Sequence, residues 1–249
     1  MTTWPYTLDA DDPAAPPLGL IVLQTDETIE TDFRRYFADH PSPIYATRIP
    51  SGIEVTNDSL AQMQSDLSAS ADLLPKGLRY PAVGYGCTSA SSVIGSEQVE
   101  KLVQKSCNAL TVTNPLRATA ALCEDRGISR LALLSPYIEE VSVSLRAAFA
   151  GIGVEMPVFG SFGEAEEAKV VRISQSAIID AALALGSDSQ VEGVFLSCTN
   201  LRTFDAIPEI QKRLKKPVMS SNQALAWHMK DLVRRHQQQV PLQAGHTGI

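Results

Sequence analysis

The chain is poor in the residues that announce common chemistries. It has four His (His40, His228, His236 and His246), scattered, and four Cys (Cys87, Cys107, Cys123 and Cys198). No CxxC or HxxxH spacing joins them, which argues against a metal site and against a thiol-disulfide motif. No GxSxG stretch is present, which disfavours a Ser-His-Asp hydrolase. There is no P-loop, and the GYG at Gly84 to Gly86 fails as a dinucleotide loop because Ser89 stands where GxGxxG needs its third Gly. No cofactor and no metal are therefore expected. Basic residues are outnumbered, 21 Lys and Arg against 28 Asp and Glu, for a net charge of -7 and a pI near 5.1. That balance points away from nucleic acid and from anionic membranes. The apolar runs fall far short of the roughly 20 residues a membrane span needs. The opening segment, MTTWPYTLDADDPAAPP, is acidic and Pro-rich without a basic stretch, so it reads as a loose arm and not as a signal peptide. Four Cys without an export signal read as reduced thiols, and a cytoplasmic location is expected.

What is present is a globular composition, 44% hydrophobic and 20% charged, over 249 residues. That is one large domain or two of ordinary size. Short branched apolar runs alternate with longer helical patterns. LGLIVL, SPIYATRI, YPAVGYG and ALTVT read as strands. Helical spacing follows each in TIETDFRRYF, SLAQMQSDLSASADLL, SEQVEKLVQKSC and PLRATAALCEDRG. The pattern then restarts. SRLALLS, VEMPVFGSF, VEGVFLSC and PVMSS are the second set of strands, and the helices are EEVSVSLRAAFAG, VVRISQSAIIDAALALG, AIPEIQKRLKK and QALAWHMKDLVRRHQQQ. Such alternation predicts an α/β protein with parallel sheets.

The restart has a fixed offset. Cys87 in GYGCTSAS and Cys198 in FLSCTNLR are 111 residues apart, and each precedes a Thr at the end of a strand. The same offset carries Asp26, after the first strand, onto Tyr137, after the first strand of the second set. It carries Gly52 onto Gly163. The expected architecture is two pseudo-symmetric, doubly wound parallel-sheet domains with the active site in the cleft between them. The expected division is an arm at 1–17, a first domain of 18–116 plus 219–239, a second of 117–218, and a disordered tail at 240–249. Ligands of open parallel sheets sit at the carboxyl ends of the strands, where both Cys lie.

A thiol opening a helix meets free backbone N–H groups and the positive end of the helix dipole. Both lower its pKa from about 8.5 toward neutrality. Both Cys are expected in this setting, with Thr88, Ser89, Ser91, Thr199 and Asn200 adding donors that also suit a carboxylate. One thiolate and one thiol on opposite faces of a carbon can act as base and acid, or one can add as a nucleophile. A lone Cys is more often a small core residue, and that reading fits Cys107 and Cys123, which lie within helical patterns. His228, beside Trp227, reads as a packing residue. The polar turns TVTNP and SSNQ read as ordinary loops and caps.

GYGCTSAS, SPYIEEV, FLSCTNLRT and SSNQALAWH resemble the Asp/Glu racemase superfamily, in the branch of maleate cis-trans isomerase and arylmalonate decarboxylase. The resemblance runs from about Leu18 to about Arg235. It implies two facing α/β halves, with Cys87 as nucleophile or acid/base and Cys198 as the opposing thiol. It implies that Tyr137, Thr88, Ser89, Thr199 and Asn200 hold a substrate carboxylate. Decarboxylases of the branch usually have Gly at the first Cys position, so two Cys argue against decarboxylation. Two departures stand out. Asp26, in LQTDETIE, occupies an Asn position of the maleate isomerases, and Glu167, in EAEEAKVVRI, falls at or near a second one. An acidic side chain repels a carboxylate and attracts an ammonium or amidinium group. Asp26 also reads as a simple cap of the following helix. The LQTDETIE segment further resembles a subgroup associated with ectoine and hydroxyectoine use.

The resulting expectation is a cofactor-independent racemase or isomerase of a small amino or cyclic-amidine carboxylic acid, with Asp26 and Glu167 facing the positive group. The alternatives are a maleate isomerase, a decarboxylase of the same family, or a binding protein without chemistry. The expected partner is the small-molecule carboxylic acid itself, and the expected assembly is a homo-oligomer, a dimer or a tetramer.

Overall fold

The run LGLIVL is buried along its whole length and forms strand β1 (Leu18–Leu23). A strand buried on both faces belongs to a parallel sheet covered by helices. The computed structural model describes residues 1–10 and 12–239. In the first half β1 is followed by α1 (Ile29–Tyr36), β2 (Ile44–Ile49), α2 (Asn57–Ala71), β3 (Tyr80–Gly86), α3 (Thr88–Ile94), α4 (Ser96–Gln104) and β4 (Ala109–Thr113). The second half begins with α5 (Pro115–Arg126), β5 (Arg130–Ser135), α6 (Glu139–Ala150), β6 (Glu155–Ser161) and α7 (Glu167–Val170). It continues with α8 (Gln175–Gly186), β7 (Gly193–Leu196), α9 (Ala206–Leu214), β8 (Val218–Ser220) and α10 (Ser221–Gln239).

The sheets run β2-β1-β3-β4 and β6-β5-β7-β8, with every pair parallel. The second order repeats the first strand for strand, so the offset seen along the chain is a repeat of topology. The helix after the last strand of each half crosses to the other half. α5 places Leu116, Leu122 and Cys123 in one core with Leu131, Leu133, Phe195 and Met219. α10 places Leu225, Met229 and Val233 against Leu18, Leu20, Val22 and Phe33 of the first half. β8 extends to Ser220 in the second sheet, so the expected boundary at 218 falls inside a strand.

GYG owes its glycines to this packing. A Cβ on Gly84 would come 2.6 Å from Met229 Sδ, and one on Gly86 would come 2.7 Å from Ile29 Cδ1. The glycines let α10 and α1 approach β3.

The sequence pattern erred in two places. VVRISQSAIIDAALALG is not one helix. α7 ends at Val170, and α8 starts only after Ser174, whose hydroxyl accepts from Ala177 N at 3.2 Å and caps it. Cys198 does not open a helix either, because α9 starts only at Ala206.

The loops after β2 and β6, related by the same offset, pair with each other. Val55 N donates to Ala165 O (3.0 Å), Glu167 N donates to Ile53 O (3.2 Å), and Glu54 and Glu166 form an antiparallel bridge. This contact fastens the start of α7 to the first half. Residues 1–10 are exposed and lack regular structure, and the expected tail at 240–249 lies outside the described residues. Among the described residues no helix is long and apolar enough to cross a membrane.

Candidate active site

Cys87 follows β3 directly and caps α3, its Sγ accepting from Ala90 N at 3.3 Å. Cys198 follows β7 in a turn with φ of 101°, a conformation rare for any residue but Gly. Strain of this kind costs on the order of 1–3 kcal/mol and persists where the surroundings enforce it. Here Cys198 N donates to Ser221 Oγ (3.1 Å), and Asn200 N donates to Cys198 Sγ (3.3 Å).

The two Cys turns are joined directly. Thr199 Oγ1 donates to Gly86 O at 3.2 Å. Thr88 Oγ1 lies 2.7 Å from Ser221 Oγ, the same hydroxyl that receives Cys198 N. Ser221, part of the SSNQ stretch that reads as an ordinary polar turn, ties both turns together. By contrast, Asn114 of TVTNP does cap α5, accepting from Arg117 N at 3.0 Å. Ser89 Oγ is buried without a partner, and Ser91 Oγ donates to Cys87 O at 2.5 Å.

Beyond burial itself, two buried carboxyls, Glu167 and Asp26, raise both thiols through their charge. Asp26 Oδ1 accepts from Thr28 N (2.7 Å) and Ile29 N (2.8 Å), which caps α1. The capping reading therefore accounts for one oxygen. Oδ2 is buried with no hydrogen-bond partner. The neighbouring Thr199 hydroxyl directs its proton to Gly86 O instead. Glu167 has both oxygens engaged. Tyr137 Oη donates to Oε1 (2.6 Å), and Asn200 Nδ2 donates to Oε2 (2.7 Å). Tyr137 Oη is also 2.9 Å from Cys198 Sγ. Two side chains expected to hold a substrate carboxylate thus hold a carboxylate of the protein itself. Asn200 is fixed further from the first half, its Oδ1 accepting from Glu27 N (2.9 Å) and its carbonyl from Thr28 Oγ1 (2.9 Å).

Helix-terminus logic predicted thiols near neutrality, and burial overturns it. Cys87 is pushed up to about 12, first by desolvation and then by the charges of Glu167 and Asp26, against hydrogen bonds from Ala90 and Ser89 N–H. Cys198 is raised well above its ordinary value by desolvation and then by Glu167. The carboxyls respond in kind. Burial raises Asp26 despite its two backbone bonds, the Thr199 hydroxyl beside it and the Arg48 charge, and it raises Glu167 despite Tyr137 and Asn200. Arg48 is the nearby cation. It donates to Leu23 O (2.9 Å), Asp26 O (3.0 Å) and Glu30 (2.8 Å), so its charge is spent on the outer side of Asp26. A buried cluster of two thiols and two carboxyls remains, and each negative charge in it opposes the next.

Cys107 is half-buried, and Cys123 is packed in the core of the second half. His228 is buried, its Nδ1 2.8 Å from Thr113 Oγ1, and burial lowers it to about 4, so it is a neutral packing residue. Asp32 and Asn222 escaped the sequence reading. Asn222 Nδ2 donates to Asp32 Oδ2 (2.8 Å) and to Thr199 O (2.8 Å), bracing the second Cys turn from α1. The only available signal was the Asn of SSNQ.

A family model described as arylmalonate decarboxylase matches residues 52–244. The chain belongs to the arylmalonate decarboxylase family. An arylmalonate decarboxylase of Bordetella bronchiseptica is 27% identical over 225 residues, covering 86% of this chain and 89% of that protein. A double mutant of arylmalonate decarboxylase in its liganded form superposes with a TM-score of 0.77 at 26% identity, over 88% of this chain and 93% of that one. The same fold recurs at lower identity in a maleate cis-trans isomerase mutant of Nocardia farcinica with a covalently bound succinylcysteine intermediate. Its TM-score is 0.77 at 21% identity, over 88% of this chain and 93% of that one. Within the arylmalonate decarboxylase family this chain is a member with a Cys just after the third strand of each half and two buried carboxyls whose charge acts on both.

Proposed function

We propose that this chain is a cofactor-independent isomerase, a racemase or epimerase, of a small carboxylic acid that also carries an ammonium or amidinium group. Family membership brings isomerase and decarboxylase chemistry on small carboxylic acids into range, and a second Cys favours proton transfer at carbon over decarboxylation. The observation that carries the substrate class is Asp26. Its Oδ2 is buried and unpartnered beside two thiols whose ionisation it opposes. A cation placed there gains a charge-assisted hydrogen bond and offsets the negative charge that a thiolate brings. Cys87 and Cys198 would take the Cα proton from one face and return it from the other. Thr88, Ser89 and Thr199 would hold the carboxylate. Cyclic amidines and diamino acids of ectoine and hydroxyectoine breakdown have this charge pattern, in keeping with the resemblance of LQTDETIE.

The test is a screen in D2O, with exchange at Cα followed by NMR for diamino acids and ectoine-derived acids. Exchange on a cationic acid is expected. Turnover of maleate to fumarate with no exchange on any cationic acid would overturn the proposal in favour of a maleate isomerase.

A further inference from the structure

Glu167 differs from Asp26 in one respect: it has no free oxygen to offer a substrate. Both are taken, by Tyr137 and by Asn200. Tyr137 has a single hydroxyl proton. With that proton on the 2.6 Å bond to Glu167, the 2.9 Å contact with Cys198 is made by the thiol proton pointing at Tyr137 Oη. Sulfur, phenol and carboxylate then form one unbroken line of donors and acceptors. All three side chains are buried.

We infer that Glu167 is the proton acceptor that generates the Cys198 thiolate, acting through Tyr137. In the shift, the Cys198 S–H bond breaks and its proton forms an O–H bond on Tyr137. The Tyr137 O–H bond breaks, and that proton forms an O–H bond on Glu167 Oε1. One negative charge moves from carboxylate to sulfur, and the total charge of the cluster is unchanged. A buried site opposes a second negative charge far more than it opposes moving one already present. Asn200 serves both ends. Its backbone N–H is aimed at the sulfur (3.3 Å) and its side-chain amide at the carboxylate (2.7 Å), so each charge state keeps a donor. The pairing of the loops after β2 and β6 holds the α7 end of the line, through the bond from Glu167 N to Ile53 O. The other titratable groups facing the line are Asp26, with Arg48 behind it, and Cys87. Lys169 of α7 pairs with Glu164 and Glu166 on the surface.

This inference rests on the reading of Cys198 as a reacting thiol, and its test uses no substrate, so the two can fail separately. The folded protein is treated with iodoacetamide from acid to alkaline pH, and labelling at Cys198 is read by peptide mass spectrometry. Cys87, in the same buried cluster, serves as the control for reagent access. In the wild-type protein, Cys198 should label at neutral pH faster than Cys107 or Cys123. The shift takes up and releases no proton, so once Glu167 is ionised wild-type Cys198 labelling should stay level across neutral pH. In Glu167→Gln, which removes the acceptor, the proton must leave for solvent, and labelling relative to Cys87 should rise about tenfold per pH unit through the same range, as loss of one proton requires. Tyr137→Phe, which leaves the Glu167 charge in place and cuts the line, should slow Cys198 at neutral pH about tenfold or more and give the same slope. A wild-type rate that itself rises about tenfold per pH unit would overturn the inference, because a carboxylate that merely burdens the thiol with charge gives that profile. So would an unchanged pH profile in both variants.

Discussion

Thr199 of the second half donates its hydroxyl proton to the carbonyl of Gly86, the residue before Cys87, at 3.2 Å. These residues are 113 positions apart. Their bond brings the two Cys-Thr turns face to face at the ends of equivalent strands. Two thiols brought together this way share their electrostatic neighbours. Each is opposed by Glu167 and by Asp26, and the ionisation of either depends on what offsets those charges.

Single-thiol variants separate the two roles. Cys87→Ser and Cys198→Ser should each abolish interconversion of enantiomers. Each should keep deuterium wash-in from the one enantiomer whose Cα–H faces the remaining thiol. Chiral chromatography coupled to mass spectrometry checks this. Equal loss of exchange from both enantiomers in both variants would count against opposed thiols.

The backbone at Cys198 makes a prediction of unusual sign. At a φ of 101°, Ala carries the same Cβ penalty as Cys and Gly carries none. Cys198→Gly should therefore be more stable than Cys198→Ala by about 1–2 kcal/mol, with both inactive. Urea midpoints decide it. An Ala variant as stable as the Gly variant would mean that the turn is unstrained.

Asp26→Asn separates capping from charge. Asn caps as well as Asp, so its Oδ1 can still accept from Thr28 N and Ile29 N, and stability should change by less than about 1 kcal/mol. The charge at the free oxygen is lost. KM for a cationic acid should rise about 10- to 100-fold, the range expected for a hydrogen bond to a charged group. A steady-state comparison of KM and kcat tests this, and an unchanged KM would remove Asp26 from substrate binding.

Asp32 links pH to stability. Its carboxyl is raised to about 6 from 3.8, mainly by burial, with the charges of Asp26 and Asp205 adding and Asn222 and Arg35 opposing. A folded pKa above the unfolded one means that the folded state holds the proton more tightly. The stabilisation is complete below the unfolded value and is lost as pH rises through about 6. Between mildly acid and mildly alkaline conditions this amounts to at most about 3 kcal/mol, at about 1.4 kcal/mol per pKa unit. Asp32→Asn keeps an oxygen for Asn222 Nδ2, so it should raise Tm at alkaline pH and flatten the fall of Tm with pH. Thermal melts across the range check the sign. A variant with the wild-type slope would contradict it.

Much of this protein is settled along the chain. Strand-helix alternation is local, because apolar periodicity and turn residues act over a few positions. It therefore reveals the two halves, their offset of 111 residues, and Cys87 and Cys198 as equivalent points. Where local pattern competed with capping or turn geometry it failed, as at Ser174, which starts a new helix, and at Cys198, which starts none. The chemistry of the site was decided in three dimensions. Thiol protonation depends on how much water remains, and burial reversed the shift that helix dipoles predict for Cys87. Hydrogen-bond partners are chosen by proximity in space. Tyr137 and Asn200 thus meet Glu167, about 30 residues away from each, while Asp26 satisfies one oxygen within its own turn and leaves the other bare. An acidic residue at each of two positions was legible in the sequence. That one of them keeps a bare oxygen, and the other is joined to a thiol through a tyrosine, is a property of tertiary contact alone.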